Sequence, residues 1–366
     1  MRLIHCADLH LDSKMTTNLT KEKARERKAE LLNTYDRMLR YAVKNRVEAI
    51  IIAGDLFDAK NVSAAARNAV KDGIINHPEI LFFYLKGNHD ADSFLGSLEE
   101  IPDNLKLFGD KWTTYPLKEG RIRITGVELS PENAGNIYND LALDRECFNI
   151  LVLHGQEAEV ASSSDTDVIS LKKLKNKGID YLALGHIHTY KLEDLDSRGK
   201  YCYPGCLEGR GFDECGEHGF VLLNVDIKSG TFSQEFVPIA GRQLYALEVD
   251  VSECMTTSDI AGRIQNTLEH VKISDRSLVK LLLTGEVDVE CEKNIDFLTK
   301  KFEPEFYSLK IADETRLRVD YKAFSLDESL KGEFVRLVEA AGDLDPSQKS
   351  TVIRYGIRAL AGEELE

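Results

Sequence analysis

The stretch Ala49-Ile50-Ile51-Ile52-Ala53-Gly54-Asp55-Leu56-Phe57-Asp58 decides how the rest of the chain is read. Its β-branched run, broken at Ala53-Gly54, has the composition of a strand buried on both faces. The strand ends by delivering a carboxylate, Asp55, into a loop. Four other short apolar runs end in the same way. Residues 3–8 lead into Asp8-Leu9-His10, residues 81–85 into Gly87-Asn88-His89-Asp90, residues 148–153 into His154-Gly155, and residues 179–184 into Gly185-His186-Ile187-His188. In open α/β sheets the functional crevice lies beyond the carboxyl ends of the strands. The five ends are therefore expected to converge at one edge of a sheet.

The residue types select the chemistry. Imidazole nitrogen with carboxylate and carboxamide oxygen suits first-row divalent ions, and the absence of thiolate argues against a structural zinc cage. Asp8, His10, Asp55, Asn88, His154, His186 and His188 are too many for one ion and suit two that share a carboxylate. Two metals about 3.5–4 Å apart can hold both charged ends of an in-line phosphoryl displacement. In extended chain, Asp8 with His10 and His186 with His188 put alternate side chains on one side, facing one pocket. Asn88 adds a ligand without adding negative charge that would repel phosphate. Of the nine histidines, His5, His77, His218 and His270 fall outside these motifs and are expected to be structural.

The ordered set Asp8-x-His10, Gly54-Asp55-x-x-Asp58, Gly87-Asn88-His89-Asp90, His154-Gly155 and Gly185-His186-x-His188 resembles the calcineurin-like metallophosphoesterase superfamily. Within it, Asp8-Leu9-His10-Leu11-Asp12-Ser13 and the overall length resemble the bacterial DNA repair exonucleases of the SbcD and YhaO type. Five motifs in order are a strong signal where one alone would be weak. The resemblance implies an α/β fold: a two-layered β-sandwich flanked by helices over residues 1–240, a small α/β capping domain over 241–320 and a C-terminal helical tail over 321–366. It implies one metal on Asp8, His10, Asp55 and His188 and a second on Asp55, Asn88, His154 and His186, with manganese preferred and magnesium, iron and zinc left open. His89 is the expected catalytic acid and Asp58 the carboxylate that holds its ring, although some related nucleases place a histidine at that position. The implied activity is DNA phosphodiester hydrolysis, as a 3′-to-5′ exonuclease and single-strand endonuclease, by a homodimer working with a coiled-coil ATPase of the SbcC or YhaN kind. A small-molecule or cyclic-nucleotide phosphoesterase would share every ligand motif; a non-catalytic scaffold is disfavoured by the intact set.

Composition bounds these readings. At 366 residues the chain is long enough for more than one domain. A net charge of −15 is the opposite of a basic nucleic-acid binder. Contact with DNA would then fall to a local basic groove, to metals or to a partner. Lys14, with Lys21, Lys23, Arg25, Arg27 and Lys28 behind it, is a candidate contact to a phosphate backbone. The competing reading is a solvated helix face partnered by Glu22, Glu26 and Glu30. Arg210, in Gly209-Arg210-Gly211-Phe212, is a candidate contact to a phosphate or a dimer mate. Seven scattered cysteines suit a reducing compartment, and with no apolar leader and no run of membrane-spanning length a cytoplasmic location is expected. Cys202, Cys206, Cys215 and His218 are spaced too irregularly for zinc and are expected to be buried small groups.

Between the motifs, residues 21–45 and 63–76 carry helical patterns, the second capped by Ser63. Alternation of strand and helix means βαβ crossovers and a largely parallel sheet. Residues 105–129 read as the short strands of a second layer, and residues 167–177 as a helix. Residues 157–166 are a polar surface loop. Beyond residue 241 the pattern runs strand, helix, strand, helix, strand. Two amphipathic helices follow over 327–362, whose apolar stripes either pack on their own domain or dock on the ATPase.

Overall fold

The computed structural model describes residues 1–366 except 16–18, 59–61, 91–93, 159–166, 289–290, 318–326 and 361–366. The chain divides into two units, Met1–Gln243 and Leu244–Glu366. No helix among the described residues is long and apolar enough to cross a membrane.

The first unit opens with β1 (Arg2–Cys6), α1 (Lys21–Lys44), β2 (Ala49–Ala53), α2 (Ala64–Ile75), β3 (Leu81–Leu85) and β4 (Leu105–Leu107). It continues with β5 (Thr113–Leu117), β6 (Ile122–Gly126), α3 (Ile137–Asp140), β7 (Phe148–His154), β8 (Gln156–Ala158), β9 (Val168–Ser170), α4 (Leu171–Leu174) and β10 (Tyr181–Gly185). The strands β11 (Lys191–Asp194), β12 (Lys200–Tyr203), β13 (Gly219–Asp226) and β14 (Thr231–Pro238) complete it. Two six-stranded sheets result, in the orders β14-β13-β1-β2-β3-β4 and β11-β12-β10-β7-β6-β5. Each is parallel in the middle and antiparallel at an edge, as β1 with β2 and β1 with β13 illustrate.

The period of two along each strand decides what covers it. Ile50 and Ile52 of β2 pack with Leu31, Tyr35, Met38 and Leu39 of α1. Ile51 and Ala53 face the other way, into a core shared with Ile150 and Val152 of β7 and Ala183 of β10. Leu151 and Leu153 then face Ile137, Ile169 and Leu174 on the far side of the second sheet. Strands buried on both faces explain the unbroken apolar runs in the sequence. α1 starts where the Thr20 hydroxyl accepts from Lys23 N, and α2 where Ser63 does the same for Ala66 N.

Three expectations change, the first at the expected loop 157–166: residues 157 and 158 pair as a strand with residues 169 and 170, and residues 159–166 lie outside the described residues. The five ligand-bearing strands belong to two sheets, β1, β2 and β3 in one and β7 and β10 in the other. Residues 167–177 are not a single helix: Val168 and Ile169 extend and pair with Gln156 and Glu157, leaving one helical turn, Leu171–Leu174. Sheet pairing outweighed a weak helical pattern that carries two β-branched residues at its start.

In the second unit, β15 (Leu244–Asp250), β16 (Leu278–Thr284) and β18 (Ser308–Asp313) form a parallel three-stranded sheet. Between them lie β17 (Glu286–Val287), α5 (Thr257–Glu269) and α6 (Ile295–Phe302), and β19 (Arg316–Leu317) follows. Ile260, Ile264, Leu298 and Phe302 of the helices share a core with Val279, Leu281 and Leu283 of β16. A helix pair, α7 (Leu330–Ala340) and α8 (Pro346–Leu360), has its own small core of Val335, Val338, Ile353 and Ile357.

Candidate two-metal site

The ends of β1, β2 and β3 and those of β7 and β10 meet along one side of the sandwich. Backbone bonds align the first two loops: Asp8 N donates to Gly54 O at 3.1 Å and His10 N to Asp55 O at 3.0 Å. The two sheets are joined through Asp8, whose carboxylate oxygens accept from His186 N at 2.9 and 3.0 Å. Asp8, His10, Asp55 and His186 all sit at positive φ, at 52°, 43°, 51° and 106°. Non-glycine residues rarely adopt this conformation, and it concentrates at functional sites where surrounding structure holds it in place. Gly54, at φ +92°, turns the chain where a Cβ would lie 2.1 Å from His154 Nδ1. At Gly87 a Cβ would lie 2.1 Å from Asp55 Oδ1. Both glycines are set by close approach.

Asp55 lies between two groups of side chains. Its Oδ2 is 3.7 Å from His10 Nε2 and 3.4 Å from His154 Nε2. On one side His10 Nε2 and His188 Nε2 are 3.1 Å apart; on the other, His154 Nε2 is 3.0 Å from Asn88 Oδ1. Potential ligand atoms of Asp8, His10 and His188 fall within 4.8 Å of one another, and so do those of Asp8, Asp55 and His154. His186 packs its ring edge-on to His154, with centroids 5.5 Å apart. The outer nitrogens of two rings are held: His154 Nδ1 faces Ala53 O at 2.9 Å and His188 Nδ1 faces Glu214 Oε1 at 2.7 Å. A ring that donates from Nδ1 presents the Nε2 lone pair to the pocket, as a metal ligand must.

Electrostatics point the same way. Burial pushes the Asp8 carboxyl up to about 7. For Asp55, burial is outweighed by hydrogen bonding and charge from His154, which hold it down at about 2. For His154, burial is outweighed by Asp55 and Asp8, which raise it to about 9. Burial lowers His10 and His186, whereas Glu214 raises His188 against burial. Two buried carboxylates among imidazoles are a costly arrangement that cations relieve. The donors fit divalent ions: ligand atoms on bonds of about 2.1 Å at right angles lie about 3 Å apart, as His10 and His188 do. Clusters of histidine and aspartate consistent with a binuclear centre are therefore present.

The rim differs from the floor. His89 is half exposed, with Nδ1 3.4 Å from Asp58 Oδ1, and His10 Nδ1 is 3.4 Å from the same oxygen. Asp58 also accepts from Ser13 Oγ at 2.7 Å and lies 3.8 Å from Arg210 Nη1. Contact with His10 above all holds its carboxyl well below the usual range. Asp90 shapes the loops, accepting from Leu56 N, Phe57 N and Gly87 N. Exposed Lys14 and the largely buried Arg210 line one cleft of about 160 Å³ together with Ser13, Met15, Asp213 and Glu214. The cysteines diverge: Cys202 lies in the core between the sheets, whereas Cys206 Sγ sits 3.2 Å from His218 Nδ1. Sequence reasoning missed Ser13 and Glu214 as partners of the site. Glu214, 26 positions beyond His188, belongs to no spacing pattern.

A sandwich with such clusters on the joint carboxyl side of its two sheets defines a phosphoester hydrolase of the metal-dependent class. The model of the calcineurin-like phosphoesterase family matches residues 1–190, and the chain belongs to that family. YhaO of Bacillus subtilis (strain 168), described as an uncharacterized metallophosphoesterase, is 27% identical over 296 residues, covering 78% of this chain and 72% of that protein. The DNA double-strand break repair protein Mre11 of Aeropyrum pernix is 24% identical over 311 residues, covering 77% of this chain and 72% of its own. The protein of that name from Archaeoglobus fulgidus is 23% identical over 384 residues, covering 91% of this chain and 81% of its own.

Proposed function

We propose that the chain is a two-metal DNA phosphodiesterase, a 3′-to-5′ exonuclease and single-strand endonuclease in DNA repair. It would take Asp8, His10, Asp55 and His188 for one ion and Asp55, Asn88, His154 and His186 for the other, with manganese as the preferred ion. The carrying observation is the pairing of His89 with Asp58 beside the histidine and aspartate clusters. Support for DNA as substrate comes from relatives named for double-strand break repair, one of them aligned over 91% of the chain.

Bound ions would supply Lewis acidity to the phosphoryl oxygens and a water acidic enough to attack near neutral pH. The chain's own residues do the rest. Asp58 holds His89 through Nδ1, so that Nε2 carries a proton towards the departing oxygen. Asp58 is itself kept ionised and in place by His10 and Ser13. Lys14 and Arg210, which line one cleft, would meet phosphate oxygens beside the reacting one. Homodimerisation and an SbcC- or YhaN-like coiled-coil ATPase belong to the same reading, with the α7–α8 pair as the docking element. Leu330 and Leu337 of that pair are exposed at 70% and 66%, outside its small core. The net charge of −15 favours a second reading, a small-diester or cyclic-nucleotide hydrolase.

The test is hydrolysis by the purified chain, stripped of metal and given Mn²⁺, of labelled duplex and single-stranded DNA, bis-p-nitrophenyl phosphate and cyclic nucleotides. Asp55→Ala and His89→Ala serve as controls. Mn²⁺-dependent shortening of DNA that both substitutions abolish is expected. Cleavage of small diesters alone, unchanged when the ATPase is supplied, would replace the nuclease by the second reading.

A further inference from the structure

The loop between β12 and β13 brings a carboxylate behind the site that none of the five motifs contains. Glu214 is 4% exposed. Its Oε1 receives His188 Nδ1 at 2.7 Å and Arg210 Nη2 at 2.8 Å, and its Oε2 accepts from Arg210 N at 2.7 Å. Its own carbonyl accepts from His218 Nε2 at 2.8 Å, which pins the loop from below. One buried anion therefore touches both a candidate ligand and a candidate phosphate contact.

The arrangement settles a conflict between protons. Arg210 Nη2 lies 3.1 Å from His188 Nδ1. A guanidinium N–H is only ever a donor, and it would favour an unprotonated Nδ1 and hence a proton on Nε2. That tautomer has no lone pair to offer where His188 Nε2 faces His10 Nε2 at 3.1 Å. An anionic acceptor at 2.7 Å reverses the preference: the proton stays on Nδ1, and Arg210 donates to the carboxylate instead. The same contact keeps the guanidinium at the cleft shared with Lys14, with Nη1 towards Asp58 at 3.8 Å.

We propose that Glu214 is the positioning residue of this site, selecting the His188 tautomer that can bind metal and fixing Arg210 to receive an oxygen of the substrate phosphate. The inference rests on the reading of the site as a metal-dependent phosphodiesterase and is independent of whether DNA is the substrate.

Glu214→Gln, nearly the same shape, tests it against Glu217→Gln, which removes an equal charge from an exposed neighbour. Three quantities are read: Mn²⁺ binding by calorimetry, histidine ring ¹⁵N shifts in the metal-free protein, and kcat and KM on bis-p-nitrophenyl phosphate. In Glu214→Gln, affinity at one of two Mn²⁺ sites is expected to fall about 10- to 100-fold. His188 loses its single Nδ1–H tautomer, and KM rises. Glu217→Gln leaves all three in place. Arg210→Met separates the two roles, raising KM while metal affinity stays. A folded Glu214→Gln protein with wild-type Mn²⁺ affinity overturns the proposal. If that variant does not fold, a wild-type His188 protonated on Nε2, or an unchanged KM in Arg210→Met, overturns it equally. A wild-type protein that binds no Mn²⁺ and leaves the diester intact would instead sink the reading of the site itself.

Discussion

His5 should make the first unit acid-sensitive. It lies in β1, fully buried, with Nδ1 2.9 Å from the Tyr181 hydroxyl. Desolvation outweighs a hydrogen bond to the Leu184 backbone and pushes its pKa from 6.5 down to about 3. The folded protein thus keeps His5 neutral where the unfolded chain takes up a proton. Stability from this group is complete above pH 6.5 and falls as pH drops from there towards 3. Each pH unit is worth about 1.4 kcal/mol, so roughly 2 kcal/mol is lost by pH 5, a sizeable part of the ~5–15 kcal/mol typical of a domain. The assay is urea unfolding at pH 7.5, 6 and 5, followed by fluorescence of Trp112. It is the single tryptophan of the chain and lies in the first unit, where its Nε1 donates to Ile137 O. His5→Asn keeps a polar partner for Tyr181 but does not titrate in this range. Its baseline stability is expected to be lower and its pH slope shallower by the amount above. Parallel pH dependence in the two proteins would refute the reasoning, whatever their absolute stabilities.

Three more outcomes can be checked. His89→Asn should lower kcat on alkyl diesters about 10²- to 10⁴-fold, with a smaller loss on p-nitrophenyl esters, whose leaving group needs less protonation. Metal content by elemental analysis should be unchanged, and loss of either ion would show that His89 is a ligand. Gly54→Ala puts a methyl group into the His154 ring at a left-handed position. It should abolish Mn²⁺ binding while circular dichroism still reports a folded sandwich; ordinary Mn²⁺ binding would mean that the loop has room to move. Glu208→Ala removes a buried acceptor of Arg27 Nη1, Thr34 Oγ1, Gly241 N and Arg242 N. Arg27 is 1% exposed, so losing part of its compensation should cost about 3–5 kcal/mol in thermal or urea unfolding. A cost below about 1 kcal/mol would indicate that water reaches the arginine.

The sequence was informative where chemistry follows a short spacing. Apolar runs such as residues 49–53 and 148–153 announce doubly covered strands, because a strand buried on both faces has no polar alternation to show. Asp, Asn or His after a run states which groups stand at its end, since a strand of five residues leaves little freedom over where the next side chain emerges. The segment 21–45 was legible through its periodicity, and 63–76 through its Ser63 cap. Residues 167–177 were not, because a weak helical pattern yielded to pairing with a strand that only the folded chain brings alongside.

What the sequence determined by itself is the kind of site: an α/β chain with histidine, aspartate and asparagine ends in an order that resembles one family. The tertiary structure decided how those ends meet. It placed them on two sheets rather than one, set Asp8 to tie β1 to the end of β10 through His186, and brought Glu214 behind His188 and Ser13 onto Asp58. It also buried Arg27 against Glu208, 181 positions away. Ligand type and local order are encoded within a few residues. A carboxylate that selects a tautomer works through one contact of 2.7 Å between distant segments, and no local pattern records which segments the packing of two sheets will press together.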